Sequence, residues 1–536
     1  MNKGSLKKSR IFPAVLLFLL ILVSGLVVYD DYGISEDEPL QRNHALVSYR
    51  WINRTLFHRE IPLSGGTEDL ERYPGRYYGV AVQLPLTAAE DIYRTVTQQE
   101  MPVRTIYHIR HLYTRFFFVL SLFCFYKLLD DLFRSSLLST AGVLMIFTFG
   151  RFFAESFYNI KDMIFTALFT ICLFLAERVI RSGYSKKWGL LFSIGTAFLV
   201  SSRIIGALLP LGLLIFALYD RFIARKNISI GFFAVLFSAY LFWLLITPAS
   251  WTDPLRFSLD YIQKFSDYTD WTNYFLYDGQ WHAAGQTPRD YYLRWIGMTV
   301  PLVYLLFSIL GGIAFSASLF SKSSGREHPR TASLLLAGSV ILFTLLYQII
   351  KTPTVYNAWR HCFFLYPLMI LFAVYGAHRL FMMRSAVIRY GAMMLLGLSL
   401  AYNTFLLVKN HPAQFTAYNP LGEKVSSQYD ADYWGMSLYP QMQWILENNS
   451  GTKTLAIRSN GDEKWRVELH HAMLPENQQS RLEIVEDDAD YILYWRLSPV
   501  DFTRPGEEPF SIEGYEEVHP MIRYGTFISS LYRKTK

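Results

Sequence analysis

Charge is scarce in this 536-residue sequence: Asp, Glu, Lys and Arg make up 18% of it, against 52% hydrophobic residues, and 17% are aromatic. With a mean hydropathy of +0.18, that shortage excludes a disordered chain and a water-soluble enzyme of ordinary composition, and leaves a polytopic membrane protein. Cysteine is also scarce. Cys124, Cys172 and Cys362 sit in or beside apolar runs, without Cys-x-x-Cys spacing or flanking histidine pairs, so neither a disulfide framework nor a zinc site is expected. No internal repeat and no low-complexity tract occurs. The formal charge of +7 and isoelectric point near 9.0 arise from short basic clusters between apolar runs, not from one patch. That distribution speaks for membrane topology and against a nucleic-acid partner.

What is present in quantity is apolar runs. They fall at roughly 11–29, 112–129, 137–150, 163–176, 188–200, 204–219, 230–247, 296–318, 333–350, 361–377 and 386–408. They predict about eleven transmembrane helices, several shorter than the ~20 residues of a full span. The first follows "MNKGSLKKSR" without a small-residue cleavage site and reads as a retained signal-anchor helix. With the N-terminus inside, the loops 177–187, 220–227, 321–330 and 378–384 are also cytoplasmic, and each carries more Lys and Arg than acid, as the positive-inside rule requires. The sequence therefore divides into a membrane part, 1–410, whose first external loop spans 30–111, and a polar extracytoplasmic tail, 411–536. In the tail, helix-like "LYPQMQWILENN" and strand-like "TLAIRS", "RLEIV" and "YILYW" alternate with turns, which predicts a small α/β domain.

On this topology the polar groups that solubility does not require gather on the outer side. "GISEDEPLQRNHALVSYRW" opens the first external loop with three adjacent acids, Glu36, Asp37 and Glu38, ahead of a stripe of Leu40, His44, Val47 and Trp51 that suits a helix lying on the membrane surface. Ser35 and Glu38 have capping-box spacing, so the acids read as a helix start as readily as a site. The next external loop, "RFFAESFYNIKDMIF", holds Arg151, Glu155, Lys161 and Asp162 between short apolar runs. Ionisable groups at such a position either lock helix ends together or do chemistry. Arg203 in "SSRIIG" could snorkel to water or clamp an anion. Trp251, Trp271, Trp281 and Trp295, in and just after the loop 247–294, fit an interfacial aromatic belt. "KTPTVYNAWRHCFFLYP" adds Lys351, Tyr356, Arg360 and His361 on the same side. Cations facing carboxylates there would suit a substrate with a phosphate to hold and a proton to lose. Outside the cytoplasm no nucleotide pool supplies activated groups, and the local source of phosphate is lipid.

"SEDEPLQRNHA", "FFAESFYNIKDMIF", "SSRIIG", "FLYDGQWHAAGQTPRDYYLRWIGMTVP", "YNAWRHCFFLYP", "HPAQFTAYNP" and "YDADYWGMSL" together resemble the GT-C superfamily of membrane glycosyltransferases. The nearest look is glycosyltransferase family 39, in its protein O-mannosyltransferase and aminoarabinose transferase branch. The resemblance implies an inverting transferase that moves a sugar from a polyprenyl-phosphate carrier to an acceptor hydroxyl on a lipid, glycan or protein. It places the family's acidic pair on Asp37 and Glu38, with Asp37 as the base, Glu38 beside it and Glu36 an additional acid that could shift the register by one. The second acidic motif falls on Asp162, with Glu155 as its partner. Arg203 and Arg360, with His361 or Lys161, would grip the carrier phosphate, and Tyr356 would line the binding site. No cofactor is required by the residues, while a divalent ion between Asp37 and Asp162 stays open. The rival readings are a transporter or flippase for a lipid-linked glycan and a non-catalytic scaffold with a glycan-binding tail. Charges confined to one face and the missing repeat count against transport.

Overall fold

The computed structural model describes residues 3–266, 270–320, 328–460, 463–495 and 512–535. Every apolar run identified above falls on a helix. In chain order these are α1 (Lys3–Val28), α2 (Asp37–Phe57), α3 (Leu84–Thr97), α4 (Val103–Phe133), α5 (Ser136–Phe147), α6 (Gly150–Tyr158), α7 (Asp162–Arg181), α8 (Lys186–Ser202) and α9 (Leu208–Leu218). There follow α10 (Ile230–Leu245), α11 (Pro254–Ser266), α12 (Tyr291–Thr299), α13 (Leu302–Leu319), α14 (His328–Lys351), α15 (Leu365–Phe381) and α16 (Ala386–Lys409).

The structure is an α-helical membrane protein with a small C-terminal sheet. Among the described residues, five helical segments are long and apolar enough to cross a bilayer: Asp162–Arg181, Ile204–Phe222, Leu302–Leu319, Pro329–Lys351 and Ala386–Lys409. The pair α5 and α6 qualifies as one broken span, bent by 66°, and Pro13–Val28, Ile230–Leu245 and Leu365–Phe381 are shorter apolar helices. The sequence reading of about eleven helices, several of them short, meets two features of the fold. Arg110 and Arg115 lie buried in α4, and α8 has 17 residues, fewer than the ~20 of a full span.

The two ends of the bundle differ. At one end, Arg178 pairs with Asp131 at 2.5 Å, Lys226 with Asp220 at 2.8 Å, Arg330 donates to the Leu132 carbonyl and His378 packs on Phe133. These are the ends of the loops read as cytoplasmic, except that 321–327 lie outside the described residues. At the other end sit α2, α3, the α6–α7 junction and the C-terminal region, where Arg151 Nε donates to the Ala417 carbonyl and Asn419 Nδ2 to the carbonyls of Gly297 and Val300.

The expected tail elements are present as α17 (Leu438–Asn448), β3 (Leu455–Ser459), β4 (Leu482–Ile484) and β5 (Tyr491–Trp495), and α18 (Lys464–His471) follows β3. Two further strands, β6 (Tyr515–Arg523) and β7 (Thr526–Lys534), complete a five-stranded sheet of order β4-β3-β5-β7-β6. Within it β3 runs parallel to β4 and β5, while β7 runs antiparallel to β5 and β6. A hairpin, β1 (Tyr274–Tyr277) and β2 (Gln280–Ala283), interrupts the long segment between α11 and α12. It turns on Asp278 and Gly279, both at positive φ, the dipeptide a two-residue hairpin favours.

Candidate active site

The start of α2 separates its three acids by direction. Glu36 precedes the first turn and reaches Arg466 of α18 at 3.2 Å; burial raises its carboxyl above the ordinary range, with Arg466 opposing. Glu38 is fully buried and turns the other way. Its Oε2 accepts from the Ser35 backbone N–H at 2.8 Å and from Ser35 Oγ, half of the capping box the spacing predicts, and Oε1 lies 3.3 Å from His111 Nε2. Asp37 alone points at the cations, and Arg360 Nη1 donates to its Oδ2 at 2.5 Å.

The same Arg360 nitrogen donates to Asp162 Oδ2 at 3.0 Å, and Arg203 Nη2 donates to Asp162 Oδ1. Asp162 is the first residue of α7, where a carboxylate also faces the positive end of the helix dipole. Arg203 leaves the end of α8 in extended backbone, φ −155°, which breaks the helix and turns its side chain toward α7. Arg360 is 2% exposed and stacks beneath the rings of Tyr356, Tyr433 and Trp434 at 4.8, 5.8 and 5.0 Å. Burial would lower the pKa of both guanidinia, but the adjacent carboxylates outweigh it and hold them charged.

Lys161, Arg203, Tyr356, Arg360 and His361 line one cavity of about 360 Å³. Its wall continues onto Leu208, Phe343 and Tyr347, residues of α9 and α14, so a polar end and an apolar flank meet in one space. The Lys161 ammonium stands 4.2 Å over the Tyr78 ring. Burial, then the charge of Arg203, lowers its pKa to about 8. His361 is pushed well below its ordinary value by burial and by Arg203 and Arg360. That favours the neutral imidazole, a hydrogen-bonding group beside the cations of Arg203 and Arg360.

Glu155 stands behind the cavity. Its Oε2 accepts from Asn159 Nδ2 at 2.8 Å, and Asn159 Oδ1 accepts from the Asp162 backbone N–H at 2.9 Å, so Glu155 fixes the turn that presents Asp162. Of the residues singled out from sequence, Asp37, Asp162, Lys161, Arg203, Tyr356, Arg360 and His361 are brought together, whereas Glu38 and Glu155 support them from the protein side.

Several participants were not legible. Trp271, read as belt, stacks on Tyr356 at 4.3 Å and donates to Tyr433 Oη at 3.2 Å. Tyr433 and Trp434 come from the C-terminal region, and the only signal for them was the aromatic "YDADYWG" stretch. The α2 stripe also differs from its reading. Leu40 is exposed while Gln41, His44 and Val47 are buried, because α2 packs beneath Gly75 and stacks His44 on Tyr78 at 5.0 Å.

A divalent ion fits poorly here. Asp37 and Asp162 already turn oxygens toward Arg360 and Arg203, and among the described residues no group of three or more His, Cys, Asp or Glu could hold a metal.

No family model matches the chain, and no curated protein matches it. Among solved structures it is similar to the oligosaccharyltransferase of Archaeoglobus fulgidus, crystallised with Zn and sulfate, with a TM-score of 0.46 and 12% identity. The match covers 84% of this chain and 61% of that one, so the chain spans about three fifths of that protein's length.

Proposed function

We propose that the protein is an inverting glycosyltransferase that takes a sugar from a polyprenyl-phosphate carrier and passes it to an acceptor hydroxyl at the outer face of the membrane. The observation that carries this reading is the single Arg360 nitrogen shared by Asp37 and Asp162 at the wall of a cationic cavity flanked by membrane helices. Lys161, Arg203 and Arg360 outnumber Asp37 and Asp162 by one positive charge, which suits the one negative charge of a sugar phosphodiester better than the two of a diphosphate. The apolar flank on α9 and α14 gives an isoprenoid tail a path into the bilayer.

In the reaction, Asp37 accepts the proton of the acceptor hydroxyl as its oxygen bonds to the anomeric carbon from the face opposite the phosphate. The bond from that carbon to the phosphate oxygen breaks, and its electron pair leaves on the phosphate. Arg203, Arg360 and Lys161 stabilise that growing charge in a poorly solvated site. Asp162 holds both guanidinia in place.

Purified protein incubated with a panel of polyprenyl-monophosphate sugars should yield a glycosylated acceptor identified by mass spectrometry. Asp37→Asn should lower the rate by about a hundredfold or more without loss of folding. Lipid scrambling in proteoliposomes with no glycosidic product, or full activity in Asp37→Asn, would overturn the assignment.

A further inference from the structure

The C-terminal region does more than cap the bundle. Arg466, on α18, is 8% exposed and makes three polar contacts in three directions: Nε to Glu463 at 2.5 Å, Nη1 to the Tyr433 carbonyl at 3.1 Å, and Nη2 to Glu36 at 3.2 Å. Glu36 is the residue before Asp37, and Tyr433 carries one of the rings lying over Arg360. One guanidinium therefore ties the segment that aims the carboxylate to the loop that roofs its cationic partner.

A second contact from the same helix acts on the same two segments. His470, one turn beyond Arg466, sits 3.5 Å from the Trp434 carbonyl, and its ring presses on Gly33 so closely that a Cβ there would stand 2.0 Å from Nδ1. The loop between them is stiff, since both oxygens of Asp432 accept backbone N–H groups, from Met436 and Ser437, at 2.8 Å. A planar, always-charged fork that bridges a carboxylate and a carbonyl fixes orientation as well as distance.

We infer that α18 is part of the catalytic unit, with Arg466 a positioning residue that sets Asp37 and the aromatic roof of Arg360 relative to each other. The inference rests on the transfer reaction proposed above. Arg466 touches neither the cavity nor its cations, so its effect falls on the geometry of the base and not on the grip on the sugar donor.

The test is a double-mutant cycle on the full-length protein with Arg466→Gln, Glu36→Gln and the double variant. It measures kcat, the KM for the sugar donor, and binding of a polyprenyl monophosphate. Each single variant should lower kcat by about tenfold, as small misplacements of reacting groups do, while donor KM and polyprenyl-monophosphate binding stay within about twofold of the unmodified protein. The double variant should fall no further than the worse single one, because both remove the same link. Arg466→Lys, which keeps the charge but not the fork, should recover part of kcat. Glu36→Gln alters a partly exposed side chain and leaves the Glu463 and Tyr433 contacts intact, so it remains informative if Arg466→Gln fails to fold. Unchanged kcat in the singles, or losses that multiply in the double, would overturn the positioning role. No transfer by the unmodified chain would overturn the reaction itself.

Discussion

Arg360 is buried and Lys161 partly buried at one cavity, yet the two cations answer to different forces. Arg360 is held charged by two carboxylates, whereas Lys161 has burial and Arg203 lowering its pKa to about 8, and its charge awaits an anion. The ammonium is present below that value and lost as pH rises through it. Affinity for an anionic sugar donor should therefore fall as the solution becomes alkaline, by about tenfold between pH 7 and 9 for a single group titrating near 8. A sugar phosphodiester does not titrate in that range, so the loss reports the protein. Donor titrations across this window should show the slope in the unmodified chain and a flat, weaker profile in Lys161→Met; the same slope in Lys161→Met would assign the titration elsewhere. Which charged residues come together was largely readable at this scale. Asp37, Lys161, Asp162, Arg203 and Arg360 stood out because ionisable groups beside apolar runs are costly and therefore conspicuous. The lowered pKa of His361 was not readable, since it depends on burial and on two guanidinia that only folding brings near.

Helix α2 shows what a single element adds to its sequence. Neighbouring positions on a helix point about 100° apart, so of three consecutive acids only one can face a given site. The sequence favoured Asp37 as the base with Glu38 beside it, and capping-box spacing already offered Glu38 another role. In the fold Glu38 takes that role, accepting the buried Ser35 N–H. Glu38→Gln, which keeps an acceptor oxygen, should retain activity within about threefold, while Glu38→Ala should cost about 1–3 kcal/mol by leaving the N–H unpaired. Thermal unfolding and transfer rate measured on both variants check this. A hundredfold loss of rate in Glu38→Gln with an unchanged melting temperature would return Glu38 to the reaction. The β1–β2 hairpin and strands β6 and β7 were missed for a related reason. Their short alternating segments lie in polar sequence, where no long apolar period announces them.

On the scale of the whole molecule, the proposal needs the cavity to open outside the cytoplasm, because only there is a lipid carrier the expected source of an activated sugar. The bundle puts the basic loop ends, with Arg178, Lys226 and Arg330, at the end opposite Asp37 and Arg360, and Lys- and Arg-rich short loops stay cytoplasmic. The three native cysteines are buried, so introduced thiols can be read against a low background. Lys187 lies at the basic end and Lys453 in the C-terminal region, and both are exposed. In sealed right-side-out vesicles a membrane-impermeant maleimide should label Lys453→Cys directly and Lys187→Cys only after permeabilisation. The opposite pattern would put the cavity where nucleotide sugars are available. The case for a lipid-borne donor would then fail even if Asp37 still proved to be the base.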